Sequence, residues 1–102
     1  MSTSTRREKD DAEKEIVREL TIQNKLGLHQ RPAAMFVKIA SKYQAEILVE
    51  KDGELVNGKS ILGMLTLAAG RGSILKVTAR GEDAARALDE LEKLVASKFN
   101  EE

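Results

Sequence analysis

The pattern of apolar and polar positions along the chain predicts four β-strands. Ile16, Leu20 and Ile22 share one strand parity in 16–24, and Ile47 and Val49 share one in 46–51, as expected for strands with one buried face. A short strand follows at 54–57, after the dipeptide at 52–53, Asp-Gly, which is typical of a hairpin turn. The last strand is 73–80, which is rich in Ile, Leu and Val. The second and third strands are therefore expected to form a hairpin.

A spacing of three and four residues between apolar side chains predicts three helices. The first covers 32–42, with Pro32 at the first helical position, where the missing amide hydrogen has no partner anyway. The second covers 61–69 behind Ser60, a good N-cap residue, and the third covers 82–100. The order strand, helix, strand, strand, helix, strand, helix predicts an α+β fold. This is a two-layer open-faced sandwich, with a four-stranded antiparallel sheet and three helices on one face.

Composition and charge exclude several classes of protein. The 102 residues include 17 basic and 17 acidic side chains, and this balance argues against a partner that is a nucleic acid or an anionic membrane. There is no cysteine and only one histidine, so neither a disulfide nor a metal site built from these residues is expected. No apolar run is long enough to span a membrane, and the N-terminus is unlike a signal peptide. A soluble, cytoplasmic protein is expected.

The first fifteen residues differ in composition from the rest of the chain. They are dominated by charged and small polar side chains, which cannot offset the entropy of ordering by burial. Residues 1–15 are therefore predicted to be a disordered or loosely helical N-terminal extension, and residues 16–102 to form the folded domain.

His29, the only histidine, lies in a loop just before the first predicted helix. A helix N-terminus offers free N–H groups and a partial positive charge to an anion such as phosphate. Arg31 adds a planar set of donors that fits phosphoryl oxygens, and together with the helix dipole it disfavours the imidazolium form of the ring. This combination favours a neutral, nucleophilic imidazole that carries a phosphoryl group. The alternative is an ordinary capping or solvent-exposed loop histidine.

Two segments resemble the histidine-containing phosphocarrier proteins of the bacterial phosphotransferase system. Residues 27–37, GLHQRPAAMFV, resemble the active-site signature of that family. Residues 57–65, NGKSILGML, resemble its regulatory-serine segment, at a matching distance along the chain. The resemblance extends from about residue 17 to the C-terminus, and it implies the fold predicted above.

The resemblance implies a role for each residue around the histidine. His29 would accept a phosphoryl group from phosphoenolpyruvate through the first enzyme of the system, and would pass it to a downstream, sugar-specific acceptor protein. Arg31 would hold the phosphoryl oxygens, and the helix start at Pro32, Ala33 and Ala34 would supply N–H groups that complete the phosphate site. The protein would be a carrier without a cofactor, and an intermediate in transfer rather than an autonomous enzyme.

The second segment implies regulation by phosphorylation of Ser60. A dedicated kinase would modify this serine, and a helix N-terminus tolerates the added negative charge. The alternative is a serine that only caps the helix.

The helix after Ser60 is apolar nearly all round, so part of its surface should be exposed as a protein contact. The family's docking positions match Ile61, Leu62 and Leu65. Its core positions match Met64 and Leu67, and the alternative is that all five side chains are core. A carrier that docks on several partners in turn is expected to be a monomer.

Two positions depart from the family pattern. Leu26 stands where many members have a polar residue that can hydrogen-bond the histidine or its phosphoryl group, so no side chain that orients the ring is visible nearby. Gln30 replaces the small residue common between the histidine and the arginine.

Three functions other than that of a sugar-uptake carrier are alternatives for this sequence. One is a nitrogen-related regulatory carrier, which shares the chemistry of His29. Another is an interaction module that acts mainly through Ser60 and the apolar helix. A self-sufficient enzyme has little support, because no second catalytic group accompanies the histidine loop. The presence of His29 argues against the serine-only branch of the family, which lacks the histidine.

Overall fold

The computed structural model describes residues 14–101, which form four strands and three helices. In chain order they are β1 (Glu15–Thr21), α1 (Gln30–Ala40), β2 (Glu46–Lys51), β3 (Glu54–Asn57), α2 (Ile61–Thr66), β4 (Ile74–Arg80) and α3 (Ala84–Ala96). A short turn over Lys98–Asn100 follows α3. The order of elements is the predicted one. Most of the predicted disordered extension, residues 1–13, lies outside the described residues.

The four strands form one antiparallel sheet in the order β1-β4-β2-β3. The pair β2 and β3 is the predicted hairpin, whose turn at 52–53 has positive φ at both residues. The register places Leu20 of β1 opposite Leu75 of β4, and Val49 of β2 opposite Val77 of β4. These four side chains are buried, so the apolar positions of neighbouring strands share one face of the sheet.

The three helices cover this face and close the core. Phe36 and Ala40 of α1 are fully buried, as are Leu88 and Leu91 of α3. These are the faces that the three-and-four spacing predicted, and the α+β open-faced sandwich is confirmed. None of the helices within residues 14–101 is long and apolar enough to cross a membrane.

Asp83, just before α3, ties this helix to the loop that precedes β2. Its carboxylate accepts hydrogen bonds from the backbone N–H groups of Gln44 and Ala45, both at 2.9 Å. Because these bonds stabilise the ionised form, they hold the pKa of the Asp83 carboxyl below its ordinary value. The bond from Gln44 has the largest effect. The helix begins at Ala84, two residues later than predicted.

The predicted elements differ most from the structure where helices end. The second helix stops at Thr66 rather than residue 69, and the chain then turns through Ala68, whose φ is 49°. The third stops at Ala96 rather than residue 100, because residues 98–100 all have φ between 56° and 59°. Non-glycine residues rarely adopt this left-handed conformation. Phe99 is fully buried there, and the burial of its ring offsets the strain.

Candidate functional site

The loop before α1 is fixed by a close approach of its backbone to residues 69–70. Gly27 has a φ of 74°, which L side chains rarely adopt, and a Cβ at this position would lie 2.6 Å from the carbonyl oxygen of Ala69. The N–H of Leu28 donates to the same oxygen at 2.8 Å, and the side chain of Leu28 is buried. The backbone is thereby anchored immediately before His29.

His29 is the N-cap residue of α1, which begins at Gln30, two residues earlier than predicted. Its carbonyl oxygen accepts the first hydrogen bond of the helix from the N–H of Ala33, at 3.0 Å. The imidazole itself makes no capping bond, and 39% of the side chain is exposed. The ring is therefore left to interact with other groups.

The early start of α1 corrects the expectation that the N–H groups of Pro32, Ala33 and Ala34 bind phosphate. Pro32 has no amide hydrogen, the N–H of Ala33 is bonded to His29, and that of Ala34 falls within the hydrogen-bond pattern of the helix. Gln30 and Arg31 occupy the first turn, where an N–H has no intrahelical acceptor. The amides available to an anion are therefore those of Gln30 and Arg31.

Arg31 borders an open depression next to the histidine loop. The depression has a volume of about 370 Å³, and its lining residues are Lys25, Leu26, Arg31, Asn100 and Glu101. Arg31 is exposed, and its guanidinium has no ion pair with any residue in 14–101. A free guanidinium beside two free amides suits a small anion such as a phosphoryl group. No cluster of acidic and histidine side chains in the same range is arranged to hold a metal ion.

Glu101 reaches His29 from the far end of the chain, a contact that no local pattern in the sequence predicts. Its Oε2 lies 2.9 Å from Nε2 of the ring. Its Oε1 accepts a hydrogen bond from Nδ2 of Asn24, also at 2.9 Å. Leu26 is 71% exposed and has an apolar side chain. The polar contact to the histidine ring therefore comes from Glu101 rather than from position 26.

Asn24 lies in the loop after β1, which ends at Thr21 rather than at residue 24 as predicted, and its side chain is completely buried. Besides the bond to Glu101, its Nδ2 donates to the carbonyl oxygen of Gly27 at 2.7 Å. Its Oδ1 has no hydrogen-bond partner among the described residues. The orientation of the amide follows from its neighbours, because both groups that face Nδ2 are acceptors. Asn24 thus links the histidine loop to Glu101.

Ser60 is the N-cap of α2, as predicted. Its Oγ accepts a hydrogen bond from the N–H of Gly63 at 3.0 Å, and its carbonyl oxygen accepts one from the N–H of Met64 at 3.0 Å. The side chain is partly exposed. Ser60 therefore caps α2, and its phosphorylation by a kinase stays a prediction.

The apolar helix α2 is divided between core and surface. Met64 and Leu67 are buried, as predicted, so the alternative that all five apolar residues are core is wrong. Ile61 and Leu62 are 42% and 74% exposed, and Leu65 is partly buried against the core. We call Ile61, Leu62 and Leu65 the α2 patch. An exposed apolar surface of this kind is typical of a contact with another protein.

A family model and a curated relative each match most of this chain. The family model described as "PTS HPr component phosphorylation site" matches residues 16–97. The phosphocarrier protein HPr of Treponema pallidum is 40% identical over 87 residues, which are 85% of this chain and 99% of that protein.

Solved structures show the same fold. A crystal structure of HPr from Thermoanaerobacter tengcongensis has a TM-score of 0.82 and 46% identity, and the match covers 85% of this chain and 98% of that one. The Bacillus subtilis catabolite repression protein Crh has a TM-score of 0.62 and 39% identity, with 83% and 93% of the two chains covered. That Crh structure is described as a dimer with a swapped domain.

Proposed function

The chain belongs to the HPr family of phosphocarrier proteins, and on this premise we propose that His29 is the residue that carries the phosphoryl group. The protein is a phosphoryl carrier of the phosphotransferase system, an intermediate in transfer rather than a catalyst. The observation that carries the assignment of His29 is its place at the start of α1. There a partly exposed imidazole is followed in the first turn by the N–H groups of Gln30 and Arg31 and by a guanidinium that has no ion pair within residues 14–101.

Each group at this site has a distinct task in the proposed transfer. The neutral ring of His29 attacks the phosphorus atom carried by the first enzyme of the phosphotransferase system. The guanidinium of Arg31 and the N–H groups of Gln30 and Arg31 bind the phosphoryl oxygens as negative charge moves onto this loop. The same groups hold the phosphoryl group until a sugar-specific acceptor protein takes it. This exchange takes place in the cytoplasm.

The α2 patch is the proposed docking surface for both partners. Ile61 and Leu62 expose apolar area that the fold does not use, and this area is suited to burial against another protein. The protein acts as a monomer in this scheme, because a stable interface between two copies on the patch would exclude the partners.

Ser60, at the edge of the α2 patch, is the proposed site of a regulatory kinase. A phosphate there would add up to two negative charges beside Ile61 and Leu62. The helix N-terminus accommodates this charge within the folded protein, whereas an acidic partner surface would be repelled. Phosphorylation would thus change the choice of partner without unfolding α2.

Intact-mass spectrometry tests the assignment of His29. The protein is incubated with phosphoenolpyruvate and the first enzyme of the system, and is weighed before and after mild acid. One added phosphate that acid removes is expected, because a phosphoramidate is acid-labile and a phosphoserine is not. His29→Ala should lose this label, whereas Ser60→Ala, a matched truncation at the other candidate residue, should keep it. Equal labelling of His29→Ala, or an acid-stable label on the wild type, would overturn the assignment.

A further inference from the structure

We propose that Leu26 is a docking residue that selects the partners of His29, by fitting a protein surface that presents an apolar side chain among acidic ones. The inference rests on the proposed role of His29 and deepens it, because it states which surfaces can reach the histidine. Leu26 lies three residues before His29 in the sequence, and 71% of its side chain is exposed.

The turn that carries Leu26 is tied at both ends. The N–H of Gly27 donates to the carbonyl oxygen of Asn24 at 3.1 Å, and Nδ2 of Asn24 donates to the carbonyl oxygen of Gly27 at 2.7 Å. Asn24 is completely buried, and Leu28, on the other side of the turn, is buried as well. Leu26 is therefore an exposed apolar tip on an anchored loop, and a partner that binds it does not have to order the loop first.

The position of Leu26, rather than its exposure alone, indicates a docking residue, because single exposed leucines are common on protein surfaces. Leu26 and Arg31 line the same open depression of about 370 Å³. Since one precedes His29 and the other follows it, the depression joins the two sides of the histidine loop. Its lining within residues 14–101 includes no residue of the α2 patch. Leu26 thus belongs to a part of the site that the α2 patch does not cover.

A protein that exchanges a phosphoryl group with His29 is expected to cover Leu26. The reacting atoms must approach to about 3–3.5 Å. The Cα atoms of Leu26 and His29 are at most about 11 Å apart, because only three peptide units join them. A standard interface covers about 800 Å² of each protein, which equals a disc of roughly 16 Å radius. An interface with His29 near its centre therefore extends past Leu26 and removes its side chain from water.

Burial of Leu26 in such a complex favours one kind of partner and disfavours another. An apolar side chain of the partner that packs on Leu26 leaves water and stabilises the complex. A polar group placed there loses its hydrogen bonds to water and finds no hydrogen-bond partner in the leucine, which weakens the complex. The same side chain therefore strengthens a matched complex and excludes a mismatched one.

The charges around the depression define the rest of the partner surface. Lys25 and Arg31 are exposed and line the depression together with Asn100 and Glu101. Only 15% of the Glu101 side chain is exposed, and both of its carboxylate oxygens already have hydrogen-bond partners. The charge that a partner meets here is therefore mainly positive. Acidic residues around the apolar side chain of the partner are complementary to it.

Kinetics of labelling by the first enzyme of the phosphotransferase system test the proposal, with this protein as the varied substrate. Leu26→Asn, a polar side chain of similar size, should raise KM by about 10-fold, which corresponds to about 1.4 kcal/mol of lost binding. The kcat should stay within about 2-fold of the wild type, because Leu26 docks and takes no part in the chemistry. Leu26→Met, which stays apolar, should keep the wild-type KM. Leu55→Asn is the matched control on β3, at a leucine that is 58% exposed, and should also behave as the wild type.

A second enzyme distinguishes selection of partners from a general loss of binding. It is a first enzyme from a bacterium whose own carrier has a polar residue at the position equivalent to Leu26. In Leu26→Asn, the ratio of kcat/KM for the two enzymes should shift by about 10-fold or more towards this second enzyme.

The possible outcomes separate this proposal from the role of His29. An unchanged KM in Leu26→Asn, an equal change with both enzymes, or a fall in kcat alone would overturn the docking role of Leu26 and leave His29 as the carrier. An equal loss in Leu55→Asn would also overturn it, because the effect would not be specific to the depression. A wild type that neither enzyme labels would overturn both proposals.

Discussion

Replacing Gly27 with alanine adds one methyl group where the histidine loop touches another part of the backbone. The new Cβ would lie 2.6 Å from the carbonyl oxygen of Ala69 and 2.8 Å from Cα of Gly70. Both neighbours are backbone atoms, so relief requires a shift of the chain rather than a rotation of a side chain. Gly53 is the matched control, because its φ of 85° is similar and no atom lies within 4 Å of the Cβ it would gain.

The two substitutions share the cost of a left-handed backbone at alanine, and they differ in the cost of overpacking. A left-handed backbone costs alanine roughly 1–2 kcal/mol, of which about 0.4–1 kcal/mol is offset by the stiffer unfolded chain. Gly53→Ala is therefore expected to lower the free energy of unfolding by about 1 kcal/mol. Gly27→Ala also overpacks against a fixed backbone, which typically costs ~1–3 kcal/mol. Its free energy of unfolding should therefore fall by about 2 kcal/mol more than that of Gly53→Ala.

Urea denaturation of the wild type and both variants measures this difference. In thermal denaturation of a domain of this size, a difference of about 2 kcal/mol in stability corresponds to roughly 8–16 °C in Tm. The rate of labelling on His29 should also fall in Gly27→Ala, because the loop that positions the ring is displaced, and should be unchanged in Gly53→Ala. Equal stability of the two variants would show that the approach of the loop to Ala69 is not tight, and the argument for Gly27 would fail.

Two further predictions concern other parts of the molecule. Leu62→Asp should slow phosphoryl transfer from the first enzyme by about 10-fold or more, by loss of an apolar contact, with a Tm close to the wild type. Leu55→Asp, at another exposed apolar site on β3, should transfer normally, and equal slowing of both would remove the case for the α2 patch. Asp83→Asn should lower stability by about 1 kcal/mol at pH 7, because the ionised carboxyl accepts two backbone hydrogen bonds. Since the pKa of Asp83 is lowered by folding, this contribution is present above the unfolded pKa and is lost as the pH falls through the folded value. The difference in stability between wild type and Asp83→Asn should therefore disappear in acid, once the pH has fallen through the lowered pKa of Asp83.

Local patterns in the sequence were sufficient for the order of the elements and for the side chains that face the core. The resemblance to the family, rather than a local pattern, separated Met64 and Leu67 from the exposed Leu62 on one short helix. The local patterns misplaced the start of α1 because proline is compatible with any position of the first turn, where an N–H has no acceptor in the helix. Once the helix starts at Gln30, the amide of Ala33 is bonded within it, and the free amides move towards the histidine.

The contact between Glu101 and His29 could not be predicted in this way. It joins residues that are 72 positions apart, and it depends on a left-handed turn at three residues that are not glycine. No intrinsic preference of Lys98, Phe99 and Asn100 together indicates such a turn, and the apolar spacing of α3 instead favours a helix that continues. The burial of Phe99 in the assembled core, which is a tertiary effect, helps to make the turn favourable.

The position of β1 in the sheet has a consequence for how the protein is made. Among the described strands, β1 pairs only with β4, which lies more than fifty residues later in the sequence. During synthesis the first strand has no partner until the last one has left the ribosome, so this pairing is a late, long-range step of folding. In that interval the edges of β1 are unpaired and are open to non-native contacts. Slow translation between β3 and β4 should therefore lengthen the time for which β1 has no native partner.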